Sequence, residues 1–206
     1  MTVVGIVPAG GSGERLGADR PKAFAVLGGR PMVEWSLEAL SVACSRVVVA
    51  VPPGHEQPPD RVLGGASRSE SVRNAVEAAP EATVFVIHDA ARPLVTSGLV
   101  RECLDALDGV DGVIAASPLS DTVHVASPEL LIAASPDRST LWAAQTPQVF
   151  RADVLRRALG GSATDEASLV AAAGGTVRLI EGPSDNIKVT TPTDLRLAEA
   201  LLRERC

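Results

Sequence analysis

The 206-residue chain predicts a single α/β domain around a mostly parallel sheet. Three observations carry this expectation. Short β-branched runs alternate with helix-period segments along the chain, a glycine-rich run follows the first apolar run at once, and an aspartate closes the third. The length also allows a sizeable core.

Val3–Val7 is apolar throughout, as a strand buried on both faces is, and it runs into the glycine-rich Ala9–Gly17. Pro31 opens a helix to about Ala43, with Val33, Leu37 and Leu40 on one face and Glu34 and Glu38 on another. Val47–Val51 is a second strand, stopped by Pro52 and Pro53. Ser69–Ala79 is helical, Thr83–His88 is a third strand ending in His88-Asp89, Gly98–Leu107 is helical and Val113–Ala116 is a strand. Asp121–Val125 then alternates polar and apolar, and Leu130–Ala134 is expected to pair back on it as an antiparallel hairpin, exposed unless something covers it. Trp142–Gln148 reads as a polar turn. Arg151–Leu159 and Asp165–Ala173 read as helices, the second with Thr164 as N-cap, followed by a strand at Val177–Ile180. Pro192–Arg203 closes the chain as a helix capped by Thr191. Neither an internal repeat nor a linker interrupts the series, so one domain spanning residues 1–206 is expected.

The formal net charge of −6 argues against a general nucleic-acid or anionic-membrane binder, since both need a basic face. The absence of tyrosine excludes a phenol as acid, base or nucleophile, and so few rings offer no stacking platform for single strands. Cys44, Cys103 and Cys206 are odd in number and widely spaced, which points away from a disulfide framework or zinc site and towards a reducing compartment. The apolar start is far too short for a signal peptide or membrane span, so a soluble cytoplasmic protein is expected.

The strongest local feature is Pro8-Ala9-Gly10-Gly11-Ser12-Gly13-Glu14-Arg15-Leu16-Gly17, with Pro21-Lys22 soon after. Glycines directly after a strand let the backbone turn tightly and bring its N–H groups close to an anion. Leu16 stands where a dinucleotide fingerprint needs glycine, and the Gly-Lys-Ser/Thr ending of a Walker loop is missing. The loop instead supplies two cations, Arg15 and Lys22, seven residues apart, and so fits a triphosphate held between backbone donors and side-chain charges. The plainer alternative is a glycine turn with solvated charges. Of 19 cationic residues 17 are arginine, and the two lysines, Lys22 and Lys188, both sit beside motif-like segments. A compact ammonium reaches a crowded phosphate in ways a planar guanidinium does not.

His88-Asp89-Ala90-Ala91-Arg92-Pro93 ends the third strand, at the rim where open α/β sheets bind ligands. Asp89 suits Mg²⁺ shared with nucleotide phosphates, which takes one or two carboxylates plus phosphate oxygens. Arg92 is read as a phosphate contact or a loop organiser, with an Asp89–Arg92 salt bridge as the structural alternative. His88 reads as a packed or hydrogen-bonded strand residue; His55 and His124 receive no role. Gly64–Val72 is a second glycine turn entering a helix, where backbone groups and the Ser71 hydroxyl suit the edge of a base, or where Ser69 or Ser71 caps the helix. On the residues alone, the reading stops at a nucleotide-phosphate site with Mg²⁺.

Together these segments, with Asp121-Thr122, Asp137-Arg138, Thr146-Pro147-Gln148, Thr164-Asp165-Glu166-Ala167 and Asp185–Lys188, resemble the 2-C-methyl-D-erythritol 4-phosphate cytidylyltransferases over nearly the whole chain. The resemblance implies a Rossmann-like nucleotidyltransferase fold of the nucleotide-diphospho-sugar transferase type. It implies a homodimer clasped by exchanged arms of about residues 121–139, and transfer of CMP from CTP to 2-C-methyl-D-erythritol 4-phosphate, giving 4-diphosphocytidyl-2-C-methyl-D-erythritol and pyrophosphate, with Mg²⁺ or another divalent cation as cofactor. By it, Arg15 and Lys22 grip the triphosphate, while Ala9, Gly10, Gly11, Gly65, Ala66 and Ser71 frame cytosine and ribose. Asp89 serves metal and substrate. Arg92, Thr146 and Lys188 line the sugar-phosphate side, and Thr122 and Arg138 reach across from the partner's arm. The substrate phosphate is already an anion, so the lack of a histidine or tyrosine base agrees with this chemistry.

Three departures from the family pattern stand out. Ala66 replaces an acidic residue, leaving recognition there to the backbone. His124 replaces a lysine of the arm, and a short Pro52–Leu63 predicts a reduced or missing peripheral strand. Ribitol 5-phosphate cytidylyltransferase is the nearest alternative, against which the small Ala91 leans. An NAD(P)-dependent oxidoreductase is disfavoured by Leu16 and the absence of tyrosine. A non-catalytic nucleotide binder is disfavoured by the joint presence of Arg15, Lys22, Asp89 and Lys188.

Overall fold

The computed structural model describes residues 1–11, 21–56, 60–161 and 163–205. Strand β1 (Val3–Pro8) comes first, then a short hairpin of β2 (Val26–Leu27) and β3 (Arg30–Pro31), and helix α1 (Met32–Ser41). Next are β4 (Arg46–Val51), β5 (Arg61–Leu63), α2 (Arg68–Glu77), β6 (Val84–Ile87) and α3 (Ser97–Asp105). The second half holds β7 (Gly112–Pro118), β8 (Val125–Ala126), β9 (Ile132–Ala134) and β10 (Trp142–Arg151). It closes with α4 (Ala152–Ala158), α5 (Glu166–Ala172), β11 (Val177–Glu181) and α6 (Pro192–Glu204).

Seven strands form one sheet in the order β11-β7-β10-β6-β1-β4-β5. Only β10 runs antiparallel to its neighbours, β6 and β7; the other pairs are parallel. This is the mostly parallel α/β sheet expected from the alternating pattern. Side chains alternate across β1 as the period of two requires: Val3 and Val7 pack under α1 and α3 with Leu40, Leu99 and Cys103. Val4 and Ile6 pack under α2, α4 and α5 with Val72, Leu155 and Leu169. Burial on both faces is why the strand reads as an unbroken apolar run. Helix α6 seals the β2–β3 hairpin through Leu27, Met32 and Leu202.

Register fixes where the loops emerge. Ala9 N–H donates to Ala50 O at 2.7 Å, Gly64 N–H to Val51 O at 2.7 Å and His88 N–H to Ile6 O at 2.9 Å. The turns after β1, β5 and β6 therefore share one rim of the sheet, the carboxyl-end rim where such folds bind ligands.

The expected turn at Trp142–Gln148 is instead the first part of a ten-residue strand at the centre of the sheet. Its polar residues and Pro147 argue against a central strand. The chain solves this by breaking the ladder to β7 between Ala144 and Gln148, so Gln145, Thr146 and Pro147 leave the pairing; the Thr146–Pro147 peptide is cis. The peripheral strand, expected to be reduced or missing, is present as β5 with three residues. Two caps also differ from expectation. Asp165, not Thr164, caps α5, and Ser67 caps α2 in a capping box with Glu70, which neither Ser69 nor Ser71 does.

Strands β8 and β9 pair as the expected hairpin, Val125 opposite Ala134 and Ala126 opposite Ile132. It projects Val125, Leu130, Leu131 and Ile132 into solvent. Among the described residues no helix is long and apolar enough to cross a membrane.

Candidate active site

A cavity of about 500 Å³ opens at the shared rim. One wall is the end of β1, Pro8–Gly11; another is the turn Gly65–Ser67 with Arg68 and Ser71 of α2; Asp89–Ala91 and the lysines Lys22 and Lys188 complete it. Both lysines of the chain thus reach one cavity, though 166 residues separate them in sequence. Lys22 N–H donates to Gly11 O at 3.2 Å, which closes the neck of the glycine-rich loop and holds Lys22 beside the end of β1.

In the second wall, the turn Gly65–Ser67 engages its own N–H groups. Gly65 N–H donates to Ser71 Oγ at 3.1 Å, while Ala66 and Ser67 N–H donate to Glu70 Oε2 at 2.7 and 3.2 Å. The N–H groups of this turn are therefore engaged within the chain, which leaves its carbonyls as the backbone groups expected to meet a base. A Cβ on Gly65 would run into Cβ of Glu70, so only glycine lets the turn fold this closely onto α2.

Charge at the site centres on Asp89, whose side chain is 10% exposed. Its Oδ1 accepts from Arg68 Nε at 2.8 Å and its Oδ2 from Lys188 Nζ at 2.6 Å. Burial opposes ionisation, but the Arg68 and Lys188 charges together outweigh it and hold the carboxyl well below the usual carboxylate range. Arg68 Nη1 in turn donates to both oxygens of Glu166, at 2.9 and 2.8 Å, and Glu166 has no exposed surface. Two acids and two cations thus form one chain, from Glu166 on α5 through Arg68 on α2 and Asp89 just after β6 to Lys188 in the loop after β11.

A polar floor supports this chain. His88 is fully buried, and burial pushes its ring down to about 4, against the pull of the Asp89 charge. Its Nε2 faces Arg92 O at 3.1 Å, an acceptor only, so Nε2 carries the proton. Nδ1 then accepts from the Thr146 hydroxyl at 3.0 Å, and Thr146 Oγ1 accepts from Asp89 N–H at 3.1 Å. Asn186, also fully buried, donates from Nδ2 to Gln145 Oε1 at 2.8 Å and Thr146 O at 2.9 Å. Arg92 donates to Asn186 O at 2.6 Å and Ala144 O at 3.2 Å. Burial lowers its affinity for the proton, with Asp89 acting the other way. The ladder break in β10 is what makes Gln145 and Thr146 available to these partners.

Of the residues expected at the site, Ala9, Gly10, Gly11, Lys22, Gly65, Ala66, Ser71, Asp89 and Lys188 line the cavity. Arg15 lies outside the described residues. Thr146 sits beneath Asp89 at 3% exposure, and Arg92 ties two loops together through their carbonyls; the alternative Asp89–Arg92 salt bridge does not form. Thr122 and Arg138 stay on the arm, where Arg138 donates to Ser120 O at 2.6 Å. Sequence reasoning missed Arg68, Glu166 and Asn186. Arg68 and Glu166 each fall on an apolar helical stripe, with Val72, Ala75 and Val76 and with Leu169 and Val170, where a charge is an anomaly.

Among the described residues no group of three or more His, Cys, Asp or Glu side chains is placed to hold a metal ion. Asp89 is the single acid on the cavity wall among the described residues, and both its oxygens already accept from cations, Oδ1 from Arg68 and Oδ2 from Lys188, so the expectation that it holds Mg²⁺ does not fit this arrangement.

The family model described as 2-C-methyl-D-erythritol 4-phosphate cytidylyltransferase (IspD) matches residues 3–204. The chain is 42% identical to a curated protein of that name from Nocardia farcinica, over 99% of this chain and 95% of that protein. It is 41% identical to one from Synechococcus sp. WH7803, over 97% and 99%. The crystal structure of 2-C-methyl-D-erythritol 4-phosphate cytidylyltransferase from Thermus thermophilus superimposes with a TM-score of 0.84 at 38% identity, covering 98% of this chain and all of that one.

The polar floor makes a stability prediction. Asn186→Ala strands the buried Gln145 Oε1 and Thr146 O, and is expected to cost about 1–3 kcal/mol in urea unfolding. An unchanged midpoint and slope would show that the floor does not depend on Asn186.

Proposed function

The chain belongs to the 2-C-methyl-D-erythritol 4-phosphate cytidylyltransferase family, and on that premise we propose how its cavity residues divide the reaction. The protein is a cytidylyltransferase of the non-mevalonate isoprenoid pathway. It transfers CMP from CTP to 2-C-methyl-D-erythritol 4-phosphate, giving 4-diphosphocytidyl-2-C-methyl-D-erythritol and pyrophosphate. The observation that carries the division of roles is the meeting of both lysines with two glycine turns and an ionised aspartate in one cavity.

A phosphate oxygen of the acceptor attacks the α-phosphorus of CTP; the new P–O bond forms as the bond to the β-phosphate oxygen breaks and pyrophosphate leaves. The nucleophile is already an anion, so the protein's work is alignment and charge stabilisation. Lys22 and Arg15, from the loop after β1, neutralise the triphosphate and the leaving pyrophosphate. Lys188, set by Asp89, holds the acceptor phosphate in line. Arg92 and Thr146 support this side from below, through the loops that carry Lys188 and Asp89.

Cytosine lies between Ala9, Gly10 and Gly11 and the turn Gly65, Ala66 and Ser71. With the N–H groups of Gly65, Ala66 and Ser67 already donating within the chain, this edge suits the exocyclic amino group of cytosine and opposes the carbonyl that uracil carries there. Mg²⁺, when bound, would neutralise phosphate charge; Asp89, engaged at both oxygens by Arg68 and Lys188, is not free to hold it.

The exposed apolar arm supports a homodimer. Val125, Leu130, Leu131 and Ile132 gain a dry surface if two arms clasp, and Thr122 and Arg138 then reach the partner's acceptor site. A cytoplasmic location agrees with the acidic composition and with a substrate made of small soluble phosphates.

Pyrophosphate release with CTP and Mg²⁺ tests the reading. Turnover is expected to favour methylerythritol 4-phosphate over ribitol 5-phosphate at least tenfold, and to fall on the order of a hundredfold in Lys22→Ala and Lys188→Ala. Preference for ribitol phosphate would overturn the acceptor, and wild-type turnover in either variant would remove that lysine from the mechanism. Light scattering at micromolar concentration is expected to give twice the chain mass; a monomer would contradict the exchanged arms.

A further inference from the structure

Glu166 is a fully buried carboxylate that lies off the cavity wall. Burial pushes its carboxyl up, with the Arg68 charge working in the opposite sense, so keeping it ionised has a cost. An amide or an apolar side chain would fill the same space on the buried face of α5 without that cost.

The geometry around Arg68 gives the acid a purpose. A guanidinium facing a carboxylate ordinarily engages it with two parallel N–H groups. Arg68 does not take Asp89 this way: only Nε reaches it, at Oδ1, while Nη1 is turned onto both oxygens of Glu166. The other oxygen of Asp89 is left to Lys188 at 2.6 Å. We propose that Glu166 and Arg68 are positioning residues that reserve one oxygen of Asp89 for Lys188. Without Glu166 the Arg68 fork swings onto Asp89, occupies Oδ2 and repels the Lys188 ammonium. With it, two acids balance two cations, and Lys188 is presented to the cavity in one place.

This inference rests on the catalytic role proposed for Lys188, and the test separates the two. Steady-state constants are measured for wild type, Glu166→Gln and Arg68→Lys, each also in a Lys188→Met background. Normal wild-type turnover with a strong loss in Lys188→Met alone establishes the underlying reading; an unaffected Lys188→Met removes it and the inference with it. Glu166→Gln is expected to lower kcat at least tenfold with KM for CTP unchanged or lower. The same substitution in the Lys188→Met background is expected to change kcat less than twofold. A role confined to tying α5 to α2 would instead multiply the two losses, and a rise in KM for CTP alone would make Arg68 a nucleotide contact; either result overturns the proposal. Should Glu166→Gln fail to fold, Arg68→Lys carries the same test, since its side chain is 28% exposed and it keeps the charge while losing the fork.

Discussion

The carboxylate of Asp89, held between Arg68 and Lys188, is the constraint from which the rest of the site follows. It joins three separate parts of the chain at one point: the start of α2, the end of β6 and the loop after β11. A buried ion pair contributes little to stability on balance, yet removing one partner costs roughly 3–5 kcal/mol because a charge is left stranded. Such a network is therefore better at fixing geometry than at holding the fold together. Here it fixes where the second of only two lysines stands, and the Val4–Ile6 and Val3–Val7 cores supply the stability that lets it.

A carboxylate held so firmly needs its backbone held too. That requirement explains the most irregular element of the sheet. Strand β10 passes between β6 and β7 but drops three residues from its ladder, and two of them, Gln145 and Thr146, hydrogen-bond to His88, Asp89 and Asn186. The buried His88 stays neutral, so it serves as a fixed link between Arg92 O and Thr146 with no proton to exchange near the ligand. Side-chain bonds replace ladder bonds at two carbonyls, Gln148 Nε2 donating to Gln145 O and Asn186 Nδ2 to Thr146 O, and turn this part of the sheet into a polar platform.

What the sequence revealed and what it hid follow from the range of the interactions concerned. The strands, the glycine turns and Asp89 were legible because each is a local matter: an apolar run, a tight turn after it, an acid at its end. Lys22 and Lys188 were legible through their rarity. Arg68 was one arginine among 17, and its partners lie 21 and 98 residues away, so only the sheet order reveals them. Glu166 hid in the first turn of its helix, where an acid near the positive end of the dipole is ordinary. Strand β10 was misread because its signal is tertiary: Gln145, Thr146 and Gln148 look like a turn until their buried partners are known. The useful sign in both helices was a charge on an apolar stripe.

The central claim is that CTP lies in the cavity with its base against the acceptor edge of Gly65 and Ala66 and its phosphates towards Lys22. A crystal structure with CTP and Mg²⁺ tests it most directly. The account predicts the exocyclic amino group within hydrogen-bond distance of a carbonyl of that turn, the triphosphate beside Lys22, and Lys188 facing an open acceptor site. A nucleotide bound with its phosphates away from Lys22, or with its base outside the Gly10–Ser71 cleft, would contradict it.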